Sequence, residues 1–265
     1  MDATLQQLAV AGHQIEVAHL VAGDPARPTV VLLHEALGCV RRWKEWPEQL
    51  AEATGCGVMA YSRPGHGGSS RTPGKRPHDY LPREALAVLP EVLGLMGVGP
   101  RVLVGHSDGA SIATIYAGTV VDAQLRGVVQ LAPHFIVEPE ALVGIRAIRE
   151  AWATTNLRRR LRKYHGPSTD DLFRQWTETW LDPAFATWDI TDCLPRVTVP
   201  MLLLQGEADE YGTAAHFALA RRLCGCPLET VLLPGVGHSP HLEAAAETTV
   251  AVAAFIEALP RARTG

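Results

Sequence analysis

Three side chains that could together perform nucleophilic catalysis lie far apart in the sequence: Ser107, Asp209 and His238. Ser107 stands in "GHSDG" (105–109), between two glycines. A free serine hydroxyl is a weak nucleophile at neutral pH, so it needs a histidine as general base and a carboxylate that orients the histidine. Acyl-transfer chemistry is therefore expected if the fold unites these three groups. The alternative is a tight turn in which Ser107 only caps a helix.

The carboxylate and the base each follow a later apolar run. Asp209 lies three residues past the end of "MLLLQG", with Glu207 and Glu210 as competitors on the same loop. His238 comes after "LETVLLPGVG", and His241 follows it, where we expect it to serve the last helix instead. The order serine, aspartate, histidine is the order in which one open-sheet architecture presents its triad. We therefore predict Asp209 as the orienting carboxylate and His238 as the base.

The elements on either side of "GHSDG" predict a sharp strand-to-helix turn. "RVLV" before it is apolar and β-branched, and "ASIATIYAGT" after it has a helical pattern. Such a turn, called a nucleophile elbow, exposes the serine oxygen and directs the start of the helix towards developing negative charge. We expect the oxyanion hole to use the backbone N–H groups of Asp108 and of Ala36, which lies in the loop "HEALG" (34–38) after a buried strand.

The wider pattern along the chain predicts an α/β fold. A hairpin and six further strands that alternate with helical segments indicate a mostly parallel eight-stranded sheet with helices on both faces. The segment 135–194 has amphipathic helical patterns and no convincing strand, which is typical of a functional insertion. We therefore predict an α/β core formed by 1–134 and 195–265, and a helical cap formed by 135–194 over the carboxyl ends of the strands.

Several of these motifs together resemble the α/β-hydrolase superfamily over nearly the full chain. They are "HEALG", "YSRPGHGGSS", "GHSDG", "GEAD" and "GVGHSPH". The resemblance is to capped members that hydrolyse esters or carbon–carbon bonds. It implies the α/β-hydrolase fold, a helical lid, no cofactor, and Ser107, Asp209 and His238 in the catalytic roles. The chain departs from many relatives at Glu35, where they have glycine; Glu35 is then either a polar group of the pocket or a solvent-facing one.

Four side chains are candidates for the substrate pocket: Glu35, His106, His134 and Trp152. His106 precedes Ser107, and His134 follows the next strand; the alternative for both is a hydrogen-bonded core histidine. Trp152 lies in the predicted cap, where most tryptophans should form the core of the lid and one or two a wall of the site. The basic run "RRRLRKYH" (158–165) favours a solvated helix face, with attraction of an acidic substrate as the alternative.

Composition bounds the partners and the location. The formal net charge is -4, which gives no general basic field for nucleic acid, and no apolar run is long enough for a membrane span. The five cysteines are scattered and indicate reduced thiols rather than a disulfide framework or a zinc site. The start of the chain has no pattern of a signal peptide. We therefore expect a cytoplasmic protein with no metal, no nucleic-acid partner and no membrane partner; a homo-oligomer stays open.

The function that these observations favour is a serine hydrolase acting on a small ester, or a related acyl or carbon–carbon substrate, through an acyl-enzyme. The first alternative keeps the fold without hydrolysis, in haloperoxidase-like, lyase or acyltransferase chemistry. The second is a non-catalytic receptor for a small molecule, because a fold alone does not fix a function. The sequence does not identify the natural substrate or its acyl chain length.

Overall fold

One eight-stranded sheet runs through the computed structural model, which describes residues 4–97 and 99–260. The strands are β1 (Thr4–Val10), β2 (His13–Val21), β3 (Thr29–Leu33), β4 (Val58–Tyr61), β5 (Arg101–His106), β6 (Leu125–Leu131), β7 (Met201–Gly206) and β8 (Leu228–Leu233). They lie in the order β1-β2-β4-β3-β5-β6-β7-β8. Only β2 runs antiparallel to its neighbours β1 and β4. The predicted fold class is confirmed.

Helices cover both faces of this sheet. They are α1 (Trp46–Thr54), α2 (Tyr80–Arg83), α3 (Leu89–Leu95), α4 (Asp108–Thr119), α5 (Pro139–Thr154), α6 (Leu157–His165), α7 (Thr169–Trp180), α8 (Ala215–Leu223), α9 (Pro240–Glu243) and α10 (Ala245–Ala258). Alternate strand residues face opposite sides, so Val31 packs in the cluster beneath α3, α4 and α8, whereas Val30 packs with α1 and α10. Parallel strands buried on both faces explain the continuous apolar runs of the sequence.

Two helices are more broken than their sequence patterns indicate. The pattern over 79–97 gives α2, a π-helical stretch at Glu84–Val88 and then α3, in which Pro90 stands in the first turn. Proline has no N–H to donate to the preceding turn and its ring displaces that turn's carbonyl, which accounts for the irregular stretch before it. The last helical pattern likewise divides into α9 and α10 at Ala244.

The segment between β6 and β7 is helical and has its own apolar core. It contains α5, α6 and α7, and an isolated antiparallel bridge between Ile136 and Asp189. Side chains of α5 and α7 form a cluster with Ala36 and Leu37 of the loop after β3. The insertion therefore packs on the loop predicted to hold the oxyanion. Its identity as a separate cap domain stays a prediction.

Two features bear on membranes and metals. None of the helices described for 4–97 and 99–260 combines the length and hydropathy that a bilayer span needs. Within the same residues, His, Cys, Asp and Glu side chains form no group of three suited to hold a metal ion. All five cysteines are free thiols.

Candidate active site

Ser107 occupies a strained turn between β5 and α4. Its backbone has φ 54° and ψ −116°, a conformation that side-chain-bearing residues rarely adopt. The flanking glycines let the two elements meet closely. A Cβ on Gly109 would lie 1.9 Å from the carbonyl oxygen of Leu33, and one on Gly105 would lie 2.3 Å from the carbonyl oxygen of Gly109. The turn therefore requires glycine at both positions, which explains the spacing in "GHSDG".

The start of α4 supplies one predicted oxyanion donor. Asp108 is the first residue of the helix, and the first N–H groups of a helix have no partner within it. The N–H of Asp108 therefore has no acceptor within α4 and lies at the positive end of the helix dipole, next to Ser107 in the chain. Asp108 and Ala36 both line the cavity that contains Ser107.

The peptide between Glu35 and Ala36 is held by two donors. Arg63 donates from Nη2 to the carbonyl oxygen of Glu35 at 2.9 Å, and Nδ1 of His34 lies 2.7 Å from the same oxygen. Because C=O and N–H of a trans peptide point in opposite directions, fixing the Glu35 carbonyl also fixes the direction of the Ala36 N–H. Position 35 is therefore occupied by glutamate where many relatives have glycine, and two hydrogen bonds to its carbonyl oxygen fix the backbone there.

The hydrogen bonds of His34 define its tautomer. The backbone N–H of Arg63 donates to Nε2 of His34 at 3.0 Å, so Nδ1 carries the proton that goes to the Glu35 carbonyl. Burial holds the pKa of His34 well below its usual value, and the charge of Arg63 lowers it further. A neutral His34 is thus a fixed part of the loop.

Asp108 is buried, and its side chain joins a hydrogen-bond network that the sequence did not predict. Arg63 forms an ion pair with its Oδ2 (Nη1 at 3.4 Å), and the hydroxyl of Tyr80 donates to the same oxygen at 3.0 Å. Trp180 of α7 donates from Nε1 to the Tyr80 oxygen at 3.1 Å. Arg63 stands within "YSRPGHGGSS", one of the motifs of the family resemblance, but the motif did not single it out. Tyr80 is far from Ser107 in sequence and gave no signal.

His238 and Asp209 form the expected pair. Nδ1 of His238 lies 2.8 Å from Oδ1 of Asp209, whose side chain is 1% exposed. The Tyr211 N–H also donates to Oδ1 at 2.8 Å, and Gln205 donates to Oδ2 at 3.2 Å. With three donors, Asp209 keeps its charge: burial raises the pKa of this carboxyl, but the bond from His238 and the other donors lower it below the usual value.

The same pair raises the pKa of His238. Burial lowers this pKa, and the hydrogen bond and charge of Asp209 outweigh the burial. His106 donates from Nε2 to the backbone carbonyl of His238 at 2.7 Å, which holds the loop. Of the two competing carboxylates, Glu207 is exposed and Glu210 lines the cavity. The competing histidine, His241, is buried against Trp43, with ring centroids 4.8 Å apart.

A cavity of about 180 Å³ contains Ser107 and His238. Its polar residues are Glu35, Arg42, His106, Ser107, Asp108, His134, Glu210, His238 and Ser239. Its apolar and aromatic residues are Ala36, Leu37, Ala141, Ile145, Ile148, Trp176, Trp180 and Tyr211, most of them from the loop after β3 and from helices α5 and α7 of the insertion. The inserted helices therefore form a wall opposite the sheet.

Trp152 requires a correction, because it does not line this cavity. Its ring stacks on Phe173, with centroids 3.9 Å apart and planes at 10°. Trp176 and Trp180 line the cavity instead. The sequence placed all of these tryptophans in the insertion, but it could not tell which helix face would turn towards Ser107.

Glu35, His106 and His134 do lie at the cavity. Arg42 donates to Oε1 of Glu35 at 3.1 Å, and Oε2 lies 3.9 Å from Nδ1 of His106. Burial raises the pKa of Glu35, but Arg42 and the neighbouring histidines together lower it below its usual value, so this carboxyl is ionised. Burial and His238 lower the pKa of His106 to about 4, and burial also lowers that of His134. Glu35 is therefore a charged cavity group rather than a solvent-facing one.

The basic run at 158–165 does not line this cavity. Arg158 is exposed and pairs with Asp170 at 2.6 Å, as on a solvated helix face. His165 is buried and binds the loop after β3, with Nε2 at 2.9 Å from the carbonyl oxygen of Leu37. The run therefore gives no support to recognition of an acidic substrate at Ser107.

Comparison with known proteins adds a family to this geometry. A family model described as "Alpha/beta hydrolase family" matches residues 30–252. Epoxide hydrolase 3 of Xenopus tropicalis is 31% identical over 121 residues, which is 45% of this chain and 32% of that protein. An sn-1-specific diacylglycerol lipase of Mus musculus is 28% identical over 99 residues, 37% of this chain and 31% of that protein. The match spans about a third of the length of each relative.

Solved structures share the fold over nearly the whole chain. The alpha/beta hydrolase enzyme MGS-M2, from a Medee basin deep-sea metagenome library, has a TM-score of 0.77 at 15% identity, over 98% of this chain and 100% of that one. A thermophilic esterase from Thermogutta terrifontis has a TM-score of 0.72 at 20% identity, over 96% and 98%. At such identities the likeness concerns the fold.

Proposed function

We propose that this chain, which belongs to the alpha/beta hydrolase family, is a serine hydrolase that cleaves a small ester through an acyl-enzyme. One observation carries the proposal: Ser107, on its strained turn, shares a cavity with His238, whose ring Nδ1 lies 2.8 Å from the buried Asp209. A nucleophile, a base and an orienting carboxylate are the parts that acyl transfer needs.

In the proposed first step, Ser107 Oγ attacks the ester carbonyl carbon while Nε2 of His238 takes the hydroxyl proton. The carbonyl oxygen becomes an oxyanion, held by the N–H groups of Ala36 and Asp108. When the intermediate collapses, the carbon–oxygen bond to the alcohol breaks and His238 returns the proton to that alcohol. The acyl group then remains on Ser107.

In the second step, water attacks the acyl-enzyme and gives its proton to His238. When this intermediate collapses, the bond between the acyl carbon and Ser107 Oγ breaks, His238 returns the proton to Oγ, and the carboxylic acid is released. Asp209 stays ionised throughout and stabilises the imidazolium that forms twice per cycle. The reaction consumes one ester and one water and needs no further reagent.

The cavity supports a small substrate with an apolar acyl group. Its volume of about 180 Å³ is below the several hundred Å³ typical of sites for drug-sized ligands. Ile145 and Trp176 offer apolar contact on the side of the insertion. We propose that the segment 135–194 acts as the cap that encloses this acyl group. The names of the diacylglycerol lipase and esterase relatives are consistent with ester hydrolysis.

The test is hydrolysis of p-nitrophenyl acetate and butyrate by the wild type, by Ser107→Ala and by Ser239→Ala. Ser239 is the other serine of the cavity lining and serves as the matched control. We expect Ser107→Ala to lose about 10³-fold or more in kcat. Ser239→Ala should lose less than about tenfold. Ester turnover that survives in Ser107→Ala, or a wild type that turns over neither ester, would contradict the proposal.

A further inference from the structure

A second cavity, of about 270 Å³, lies beneath the loop 72–77 and is lined by different residues from the Ser107 cavity. Tyr80 and Arg63 form part of its lining, and both contact Asp108 of the first cavity. The rim includes the exposed residues Pro73 and Lys75, so the cavity is accessible from solvent. Gln175 of α7 donates to the carbonyl oxygen of Gly74 at 3.0 Å, which fixes the loop in place.

The lining of this cavity carries an excess of positive charge. Four of its side chains are cations (Arg63, Lys75, Arg76 and Arg83), and its one carboxylate is Glu84. Burial raises the pKa of Glu84 to about 7, so it is only partly ionised at neutral pH. The Tyr61 hydroxyl donates to Oε1 of Glu84 at 2.8 Å. This oxygen is therefore less available to accept hydrogen bonds from the cations.

Three of the four cations have carboxylate partners elsewhere. Arg63 pairs with Asp108 at 3.4 Å, Lys75 with Asp182 at 3.2 Å, and Arg83 with Asp79 at 2.8 Å. Arg76 forms no ion pair within the described part of the chain. It is therefore the one cation of this lining that has no carboxylate in contact within the described residues.

Arg76 is also buried, with 8% of its surface exposed. Its guanidinium lies over the ring of Tyr80, 4.8 Å from the centroid, and its Nη1 has no hydrogen-bond partner among the described residues. Nε of Arg63, which also belongs to the lining of this cavity, is a second buried donor with no hydrogen-bond partner among the described residues. A buried guanidinium N–H without a partner destabilises the folded protein, because it has lost its hydrogen bond to water and has formed no other hydrogen bond.

We propose that this cavity binds a small oxyanion, a carboxylate or phosphate group, through the unpartnered donors of Arg76 and Arg63. Guanidinium groups match such oxyanions in both charge and planar geometry. A phenol ring beside the guanidinium and an exposed ammonium at the rim complete a preformed site. The two cavities share no lining residue. The oxyanion is therefore either a molecule other than the ester or a group of the ester that is distant from the reacting carbonyl.

Isothermal titration calorimetry with inorganic phosphate and with malonate tests the proposal, at an ionic strength held constant with sodium chloride. The two titrants distinguish phosphate from carboxylate as the favoured group. The variants are Arg76→Gln and, as a matched control, Arg222→Gln, which removes an exposed arginine of α8 outside the cavity. We expect saturable binding of at least one titrant by the wild type and by Arg222→Gln, and binding weaker by about tenfold or more in Arg76→Gln.

Absence of saturable binding of both titrants to the wild type would overturn the proposal, and so would equal affinity in Arg76→Gln. A third variant, Lys75→Gln, changes only an exposed rim residue and keeps the test open if Arg76→Gln does not fold. It should weaken binding by about twofold to fivefold, because a partly neutralised rim charge contributes little. An unchanged affinity in Lys75→Gln together with an unfolded Arg76→Gln would count against the site.

Discussion

His238 is the residue whose charge state controls the proposed chemistry. It accepts the serine proton only when its ring is neutral. Asp209 favours the charged ring and raises the pKa of His238 above its usual value. The same hydrogen bond holds Nδ1, so that Nε2 remains to act as base. Orientation and proton affinity thus come from one contact.

This contact predicts a pH profile. As pH falls through the raised pKa of His238, the ring becomes protonated and kcat/KM falls, so the acid limb should lie above pH 6.5. Asp209→Asn removes the charge that raises the pKa, so the limb should move to lower pH. The variant should also lose on the order of 10³-fold or more in kcat, because the ring can adopt the wrong tautomer. The check is kcat/KM for p-nitrophenyl acetate from pH 5 to 9; an unmoved limb in Asp209→Asn would contradict the assignment.

Arg63 is the positioning residue that links both predicted oxyanion donors. It holds the Glu35 carbonyl and pairs with the Asp108 side chain. Arg63→Gln should lower kcat by about 10- to 100-fold with little change in KM, because the oxyanion forms only in the transition state.

Arg63→Lys is the companion variant, since it keeps the charge near Asp108 but loses the fork that reaches both groups. It should recover part of the lost kcat. If Arg63→Gln raised KM and left kcat unchanged, the residue would act in substrate binding and not in oxyanion placement.

At this scale the sequence predicted residues with a local motif and missed those with only distant partners. Ser107, Asp209 and His238 each follow a recognisable strand and turn. Tyr80 reaches Asp108 across 28 positions of sequence, and no spacing rule connects them. Arg76 and its cavity likewise depend on how the loop 72–77 folds back on α7.

The elbow is the element on which the site depends. The helix α4 starts against β3, close enough for Gly109 to touch the backbone of Leu33. Gly109→Ala would place a Cβ 1.9 Å from a carbonyl oxygen, so strand and helix must separate. We expect a loss of stability of about 1–3 kcal/mol or more, and a loss of ester turnover. The measurement is urea unfolding followed by circular dichroism, together with p-nitrophenyl acetate hydrolysis.

Gly94 offers the matched control, since it lies exposed in α3 and a Cβ there meets no atom within 4 Å. Gly94→Ala should stabilise the protein by about 0.5–1 kcal/mol, because alanine loses less backbone entropy in a helix. If Gly109→Ala were as stable and as active as Gly94→Ala, the close packing at the elbow would be refuted.

Strand positions were predictable because each buried strand is a continuous apolar run bounded by turn residues. The breaks inside the helices were less predictable from the sequence. The pattern over 79–97 keeps a helical period across Pro82 and Pro90, although the backbone changes its winding between them. Apolar period reports which face is buried and does not report the local hydrogen-bond pattern.

In the whole molecule, the insertion between β6 and β7 supplies most of the apolar lining of the Ser107 cavity. The helices α5 and α7 supply Ile145, Ile148, Trp176 and Trp180 to the cavity, and Trp180 also reaches Tyr80. In the proposed mechanism, the loops after the strands place Ser107, Asp209 and His238, and the insertion sets the space for the acyl chain.

This division predicts the acyl preference. In a series of p-nitrophenyl esters from acetate to decanoate, kcat/KM should be highest for short chains, because the cavity holds only about 180 Å³. Ile145→Ala enlarges the cavity and should shift the optimum to longer chains. For an ester whose acyl chain is too long for the wild-type cavity, kcat/KM should rise about tenfold. Val143→Ala, an exposed residue of the same helix, is the control and should leave the preference unchanged. An unaltered preference in Ile145→Ala would mean that the acyl chain lies elsewhere.

The proposed mechanism requires that Ser107 becomes covalently bonded to the acyl group during turnover. Reaction with a fluorophosphonate, followed by intact-protein mass spectrometry and peptide mapping, tests it most directly. We expect a single phosphonyl adduct on Ser107, no adduct in Ser107→Ala, and much slower labelling in His238→Ala, where the base is missing. An adduct on another residue, or an unlabelled wild type that still hydrolyses esters, would contradict it.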